Sequence, residues 1–430
     1  MFRVWAENRR RCARRSRLMK RRRGKSVRPS INSGPYLVAA RHVLDLLFYG
    51  MVGRAFFSTG ENLDGVIDPA VDSVVAVSET LRRRWPAIEA ANGAAVEVQH
   101  LLGHELGDFS SEDVDIVVFG SLARGEWTSG SDVDWTLLID GQASPDHRAV
   151  ARQVREKIDS AAFRGHKLNP PGAEGTFGNL TFSHDIVHHI GGQADTNRNT
   201  TQRVLLLLEA RPIRRSGTTI AVGPYDRVLR SILFRYLHDD TNFSAADPDE
   251  SRIPRFLLND IVRYWRTLCV DFAYKEWEQA GRKWALRNIK LRMSRKLLFV
   301  SALMTIFSCF KCPALQLSGR PDDDYIGRMQ SHLGQFVLST PLNIVAWTLS
   351  RLGLGEECGR LFDCYNDFLA QLDNEAFRVH LDALGPRQVY EDGPFLRLRE
   401  VSHSFQSILT EVFFQIDTEL REFIFKYGVF

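Results

Sequence analysis

The sequence predicts an α+β fold, and two observations carry that reading. Short apolar runs bounded by turn residues, the signature of strands, are confined to about residues 114–187. Beyond about residue 224 the strand signals fade and helical spacing takes over. The 430 residues allow two or three domains with an ample core. With 44% hydrophobic and 25% charged residues the usage is globular, which excludes a wholly disordered, collagen-like or coiled-coil chain.

The elements follow in order. Val71, Val74-Val75, Val77 and Leu81 give a helix over about 69–84, which Pro86 interrupts. A second helix spans 87–106 and Gly107 closes it. Val114 to Phe119 reads as a buried strand, and a second strand runs from Val133 to Ile139 before the Asp140-Gly141 turn. A helix at 147–163, a Gly- and Pro-rich loop at 167–179, a strand at 180–187 and a buried helix at 200–210 complete the first half. Asn199 or Thr200 is the expected N-cap of that last helix. In the second half, residues 254–279, 283–310, 327–352, 358–372 and 400–427 all read as helices. The longest apolar stretch, Leu297 to Phe310, is shorter than the ~18–20 residues a bilayer span needs, so a buried helix is expected and no membrane span. No internal repeat of fixed period is present.

Charge is unevenly placed. The formal net charge is +4, yet residues 1–28 hold thirteen Lys or Arg and a single acid, Glu7. The other 402 residues carry a net charge of −8. The first 35 residues are therefore expected to be a basic, disordered tail, available to touch RNA. The acidic body lacks a general nucleic-acid-binding composition. The tail lacks the apolar run of a signal peptide, and a cytoplasmic protein is expected. Six cysteines in a chain this long form no disulfide framework. Cys309-Phe310-Lys311-Cys312 is a lone C-x-x-C, from which neither zinc nor a disulfide is expected.

One segment carries chemistry. The strand Val117-Val118-Phe119 runs into Gly120-Ser121, ten residues follow, and Asp132-Val133-Asp134-Trp135 opens the next strand. In an extended chain Asp132 and Asp134 point one way and Val133 and Trp135 the other. Two adjacent carboxylates repel unless a cation sits between them, and hard oxygen ligands suit Mg²⁺ or Mn²⁺ together with substrate phosphates. Gly120 permits close approach of the backbone, and Ser121 adds a hydroxyl at the start of a turn. Asp113-Val114-Asp115 has the same form but reads as a loop-to-strand junction.

Together, Gly120-Ser121-Leu122-Ala123-Arg124-Gly125-Glu126 and Ser131-Asp132-Val133-Asp134 resemble the signature of the DNA polymerase β-like nucleotidyltransferases. The branch they resemble most is bacterial and includes protein-PII uridylyltransferases. The resemblance implies a small mixed sheet backed by helices, in a core at 66–223 with N-terminal helices, followed by an all-helical domain at 224–430. It implies Mg²⁺-dependent transfer of a nucleoside monophosphate from an NTP such as ATP. The acceptor would be a protein, a small molecule, an RNA end or a second nucleotide. Asp132 and Asp134 match the first two metal-binding carboxylates, and Gly120 and Ser121 the phosphate-contacting pair. The third carboxylate of such enzymes comes from a later strand. Asp185 is the candidate, with Glu209 and Asp195 as rivals. Arg124, Arg263 and Lys290 are the candidate phosphate contacts. His184, His188 and His189 surround Asp185 and are read as hydrogen-bonded neighbours of the site. The alternative function is a nucleotide-binding or regulatory protein that keeps the fold without turnover. No effector or phosphohydrolase domain of a complete uridylyltransferase is expected.

Overall fold

In the computed structural model, the described residues are 73–429 without 172–176, 215–221, 240–252 and 312–322. The basic tail, and with it the expected RNA contact, lies outside them. The first helix, α1 (Ser73–Leu81), is followed by α2 (Pro86–Leu106), with Pro86 in its first turn, where a missing N–H costs nothing. Strand β1 (Val114–Phe119) is buried along its whole length. It leads through a one-turn helix, α3 (Gly120–Arg124), to β2 (Trp135–Ile139). Helix α4 (Asp146–Ser160) comes next, then a hairpin of β3 (Ala162–Phe163) and β4 (His166–Lys167). Then come β5 (Asn179–Phe182), a short helix α5 (Ser183–Val187), α6 (Asn197–Leu208) and β6 (Ala210–Ile213). The main sheet has the order β5-β2-β1-β6. β1 is antiparallel to both β2 and β6, and β2 is parallel to β5, so the sheet is mixed.

Three local differences from the sequence reading have simple causes. The strand expected at 180–187 stops at Phe182, because its partner β2 ends at Ile139 directly opposite. Thr196, rather than Asn199 or Thr200, caps α6 by accepting from the Asn199 N–H. β6 went unrecognised because it holds four residues and contains Pro212, which a strand tolerates only at a sheet edge such as this one.

The remaining described elements are helical. They are α7 (Pro224–His238), α8 (Arg255–Glu278), α9 (Trp284–Lys290), α10 (Lys296–Lys311), α11 (Asp323–Val337), α12 (Pro341–Arg351), α13 (Gly355–Asp373), α14 (Glu375–Ala383), α15 (Gly393–Glu411) and α16 (Thr418–Phe423). A π turn, Leu291–Arg295, joins α9 to α10 without a break. The expected helix at 327–352 is two helices, since Pro341 opens α12 and Thr340 caps it. Likewise, Asp417 caps α16 and ends the run expected at 400–427.

Two apolar layers flank the sheet. Ile116, Val118, Val133, Trp135 and Leu137 face α2. Val117, Phe119 and Leu138 face the other way and share one continuous core with the helical half. The described residues accordingly belong to one unit. Trp284–Phe310 is long and apolar enough to cross a membrane, but 78% of its apolar window is buried inside this core. The start of α2 is fastened to α13 by bonds from Trp85 Nε1 to Asp363 (2.9 Å) and from Ala87 N–H to Asn366 (2.9 Å).

Candidate active site

The site forms where β1 ends and β2 begins. Gly120 has φ +66°, a left-handed conformation that disfavours side chains. A Cβ placed there would come within 3.2 Å of Asp134 Oδ2, so glycine lets the turn pass directly over that carboxylate. The Phe119 N–H donates to the Asp134 carbonyl (2.9 Å), which locks the two segments together. Asp132 and Val133 precede β2 proper and are held extended by Asn169. Asp132 bridges to Asn169, and the Val133 N–H donates to its carbonyl (2.8 Å). The alternation is clear in the burial: Val133 and Trp135 are fully buried, Asp132 is exposed and Asp134 is half-buried.

Electrostatics single out Asp134. Burial pushes its carboxyl up to about 7, Asp132 and Glu209 add to the shift, and Arg295 and Lys290 oppose it. Opposite stand cations from the helical half. Lys290, at the end of α9, is pushed down to about 8 by burial and by its neighbour Arg378, while Asp132 pulls it back. Arg378 comes from α14. Its guanidinium lies against Gly130, where a Cβ would meet its Nε at 2.4 Å, and it reaches Thr128 Oγ1 at 3.5 Å. Among the described residues, Asp132, Asp134, Lys290 and Arg378 make no ion pair. Acids and cations thus lie within electrostatic reach of one another yet beyond ion-pair distance, which leaves a gap between them.

Arg124 is not in that gap. It is buried and forms ion pairs with Glu126 (2.8 Å) and Glu209. Burial works against its charge, but the two carboxylates outweigh burial and hold its pKa above the ordinary range. Glu209 is also held by Arg295, at 3.1 Å from Oε1 and 3.3 Å from Oε2. Arg124, expected on the nucleotide, is thus engaged by protein carboxylates.

Asp185, the expected third carboxylate, is not brought to the pair. It sits exposed on α5, beyond Phe182, which lies opposite Ile139. That is five residues along β2 from Asp134, or ~17 Å at the rise of a strand. Asp185 therefore occupies the opposite end of the sheet. Asp195 is there as well, paired with Arg203 at 2.9 Å. Arg263 donates to Asn197 Oδ1 (2.6 Å) at the N-terminus of α6. Glu209, just past the C-terminus of α6, is about 18 Å away along the helix axis. Of the three rival acids, only Glu209 is close enough to influence Asp134, and both of its oxygens are already engaged by arginines. The His184 ring lies 4.9 Å from a tilted His188 ring and 5.5 Å from an edge-on His189 ring, again at the far end. Among the described residues no group of three or more His, Cys, Asp or Glu can hold a metal ion. Cys309 is a buried free thiol, and Cys312 lies outside the described residues.

Arg295 and Arg378 are candidate site residues that the sequence reading does not single out. Arg295 lies among the cations of residues 287–296, but its facing depends on the π turn. Arg378 had a weaker signal, Asn374 followed by a short amphipathic stretch, with Asn374 accepting from the Phe377 N–H as a cap.

Residues 104–161 match the family model of the nucleotidyltransferase domain. The matched segment contains β1, Gly120-Ser121, Asp132, Asp134, β2 and α4. It supports placement in the polymerase β-like nucleotidyltransferase superfamily. No curated protein matches the chain.

Proposed function

We propose that this chain is a divalent-cation-dependent nucleotidyltransferase. It moves a nucleoside monophosphate from an NTP to an acceptor hydroxyl. The observation that carries the reading is the gap between Asp132 and Asp134 on one side and the cations Lys290 and Arg378 on the other, inside and beside the matched segment.

The donor set fits Mg²⁺ or Mn²⁺. Two carboxylates stand together, one of them with a pKa raised by burial and by the other's charge, and such ions complete their shell with water and substrate phosphates. When bound, the cation would lower the pKa of the acceptor hydroxyl and polarise the α-phosphate. The residues do the rest. Asp132 and Asp134 hold the cation. Gly120 leaves room for the phosphates over Asp134, and the Ser121 hydroxyl stands at the same turn. Lys290 and Arg378 bind the triphosphate oxygens and carry the charge that develops on pyrophosphate as the acceptor oxygen displaces it. Glu209 does not act on substrate. It holds Arg124 and Arg295 in place and adds its charge to the field at Asp134. The run Gly120 to Glu126 supports kinship with the uridylyltransferase branch. The NTP requirement fits a cytoplasmic setting, and the acidic body favours a protein or small-molecule acceptor over a long nucleic acid.

The test is incubation with NTPs labelled at either the α- or the γ-phosphate, with Mg²⁺ or Mn²⁺ and cell extract as acceptor source. Label should move from the α-position only, with release of pyrophosphate, and Asp134→Asn should lose it. Transfer of γ-label, or transfer surviving in Asp134→Asn, overturns the reading.

A further inference from the structure

A cavity of 640 Å³ opens behind the turn that carries Asp132. It lies on the α2 face of the sheet, with Ser131 and Val133, whereas Asp134 faces the helical half. Its volume is in the range of small-molecule sites. The lining is mixed: Trp127, Phe163 and, from α2, Ala91 and Ala94 supply its apolar part, and the Thr128–Ser131 turn, the β3–β4 hairpin and the end of α13 at Asp373 supply polar groups. The buried hydroxyls of Thr128 and Ser131 face each other at 3.2 Å on the inner side.

The rim carries two cations. The β3–β4 hairpin brings Arg164 and Lys167 to it. Arg164 lies 4.8 Å from the centre of the Phe163 ring and is paired with both oxygens of Glu97 (3.0 Å). Lys167 is exposed and, among the described residues, pairs with no acid. The rim acid Asp373 is turned to the Ser129 N–H (2.9 Å). Two aromatic side chains and an unpaired lysine in one cavity of this size suit a ring that carries a phosphate.

We propose that this cavity is a second binding site, for a ligand of nucleoside-monophosphate size and chemistry, separate from the gap at Asp134. Its occupant would press on the Ser129–Ser131 segment. That segment is tied to the end of α13 through the bond from Ser129 Oγ to the Asp373 carbonyl (3.1 Å), and the next residue, Asn374, caps the helix that carries Arg378. Binding here would therefore stiffen both walls of the transfer site.

AMP is the probe, because it lacks the pyrophosphate a donor must release. Calorimetry and thermal shift on the full chain should show AMP binding equally to wild type and Asp134→Asn. Lys167→Glu should weaken it about tenfold, the effect of losing one charge-assisted contact. Ala91→Phe, which takes up space in the cavity, should abolish it. If Ala91→Phe melts early without ligand, Lys167→Glu alone decides. Binding that survives Lys167→Glu, disappears in Asp134→Asn, or is absent from wild type at millimolar AMP overturns the site. Because transfer is assayed separately, failure of the transfer reading would leave this result intact.

Discussion

The two ends of α6 carry two charged clusters of different kinds. At its N-terminal end Arg203 is buried and fully paired. It meets Asp195 (2.9 Å), Asp260 (2.7 Å) and the Tyr236 hydroxyl (2.6 Å), and Tyr236 in turn donates to Asp260 (2.6 Å). Burial disfavours the Arg203 charge, yet these partners raise its pKa above the ordinary range. At the C-terminal end Glu209 closes a similar network with Arg124 and Arg295, but beyond it the pairing stops. Asp132, Asp134, Lys290 and Arg378 confront one another unbonded. Buried charges are costly unless partnered. A closed cluster is thus satisfied within the fold, whereas an open one leaves its charges to solvent or to a ligand. Both contain acids and cations, so composition does not distinguish them.

Substitutions can break this contrast, beginning with the largest expected effect. Asp260→Ala should destabilise the protein by ~3 kcal/mol, because Arg203 loses one acid of a closed network and stays buried. The drop should appear in chemical denaturation, with transfer activity per folded molecule nearly unchanged. An activity loss without a stability loss would show that the N-terminal cluster is also a site. Glu209→Gln lies between the two behaviours. It should cost about 2 kcal/mol by weakening the hold on Arg124 and Arg295, and should also slow transfer. If only stability falls, the C-terminal network ends at Glu209 and does not shape the gap. Arg378→Gln should have the smallest effect on the fold, with a nearly unchanged melting temperature, since its one side-chain hydrogen bond among the described residues is the long one to Thr128. It should instead raise KM for the NTP about tenfold, the effect of one charge-assisted phosphate contact. An early melt with unaltered KM would reassign Arg378 to the closed class.

The contrast also marks what could be read from the chain. Val114–Phe119, Gly120-Ser121 and the Asp132/Asp134 pair were legible because strand alternation and a backbone that must pass close to a carboxylate are local properties. The identity of the third acid was not. Whether Asp185 or Glu209 lies near the pair depends on which end of β5 meets which end of β2, a matter of sheet direction that no local pattern encodes. Arg124 misled for a related reason. It sits within the motif, but its direction is set by Glu209, 85 residues later. Arg263 and Lys290 looked alike as cations on helix stripes, and only packing separated the one at the far end of α6 from the one at the gap.

The π turn at Leu291–Arg295 can be viewed as a matter of phase. An α-helix advances 100° per residue, so Lys290 and Arg295, five apart, would point about 140° away from each other. The wider π turn stacks residues at that spacing and brings both cations to the side where Asp134 lies. In effect the chain carries one residue more than a regular helix needs at this point. Removing it would leave a longer, more regular α9–α10 rod, still apolar enough for its core. Everything before the deletion would then be rotated against everything after it, and the site could keep Lys290 or Arg295 but not both.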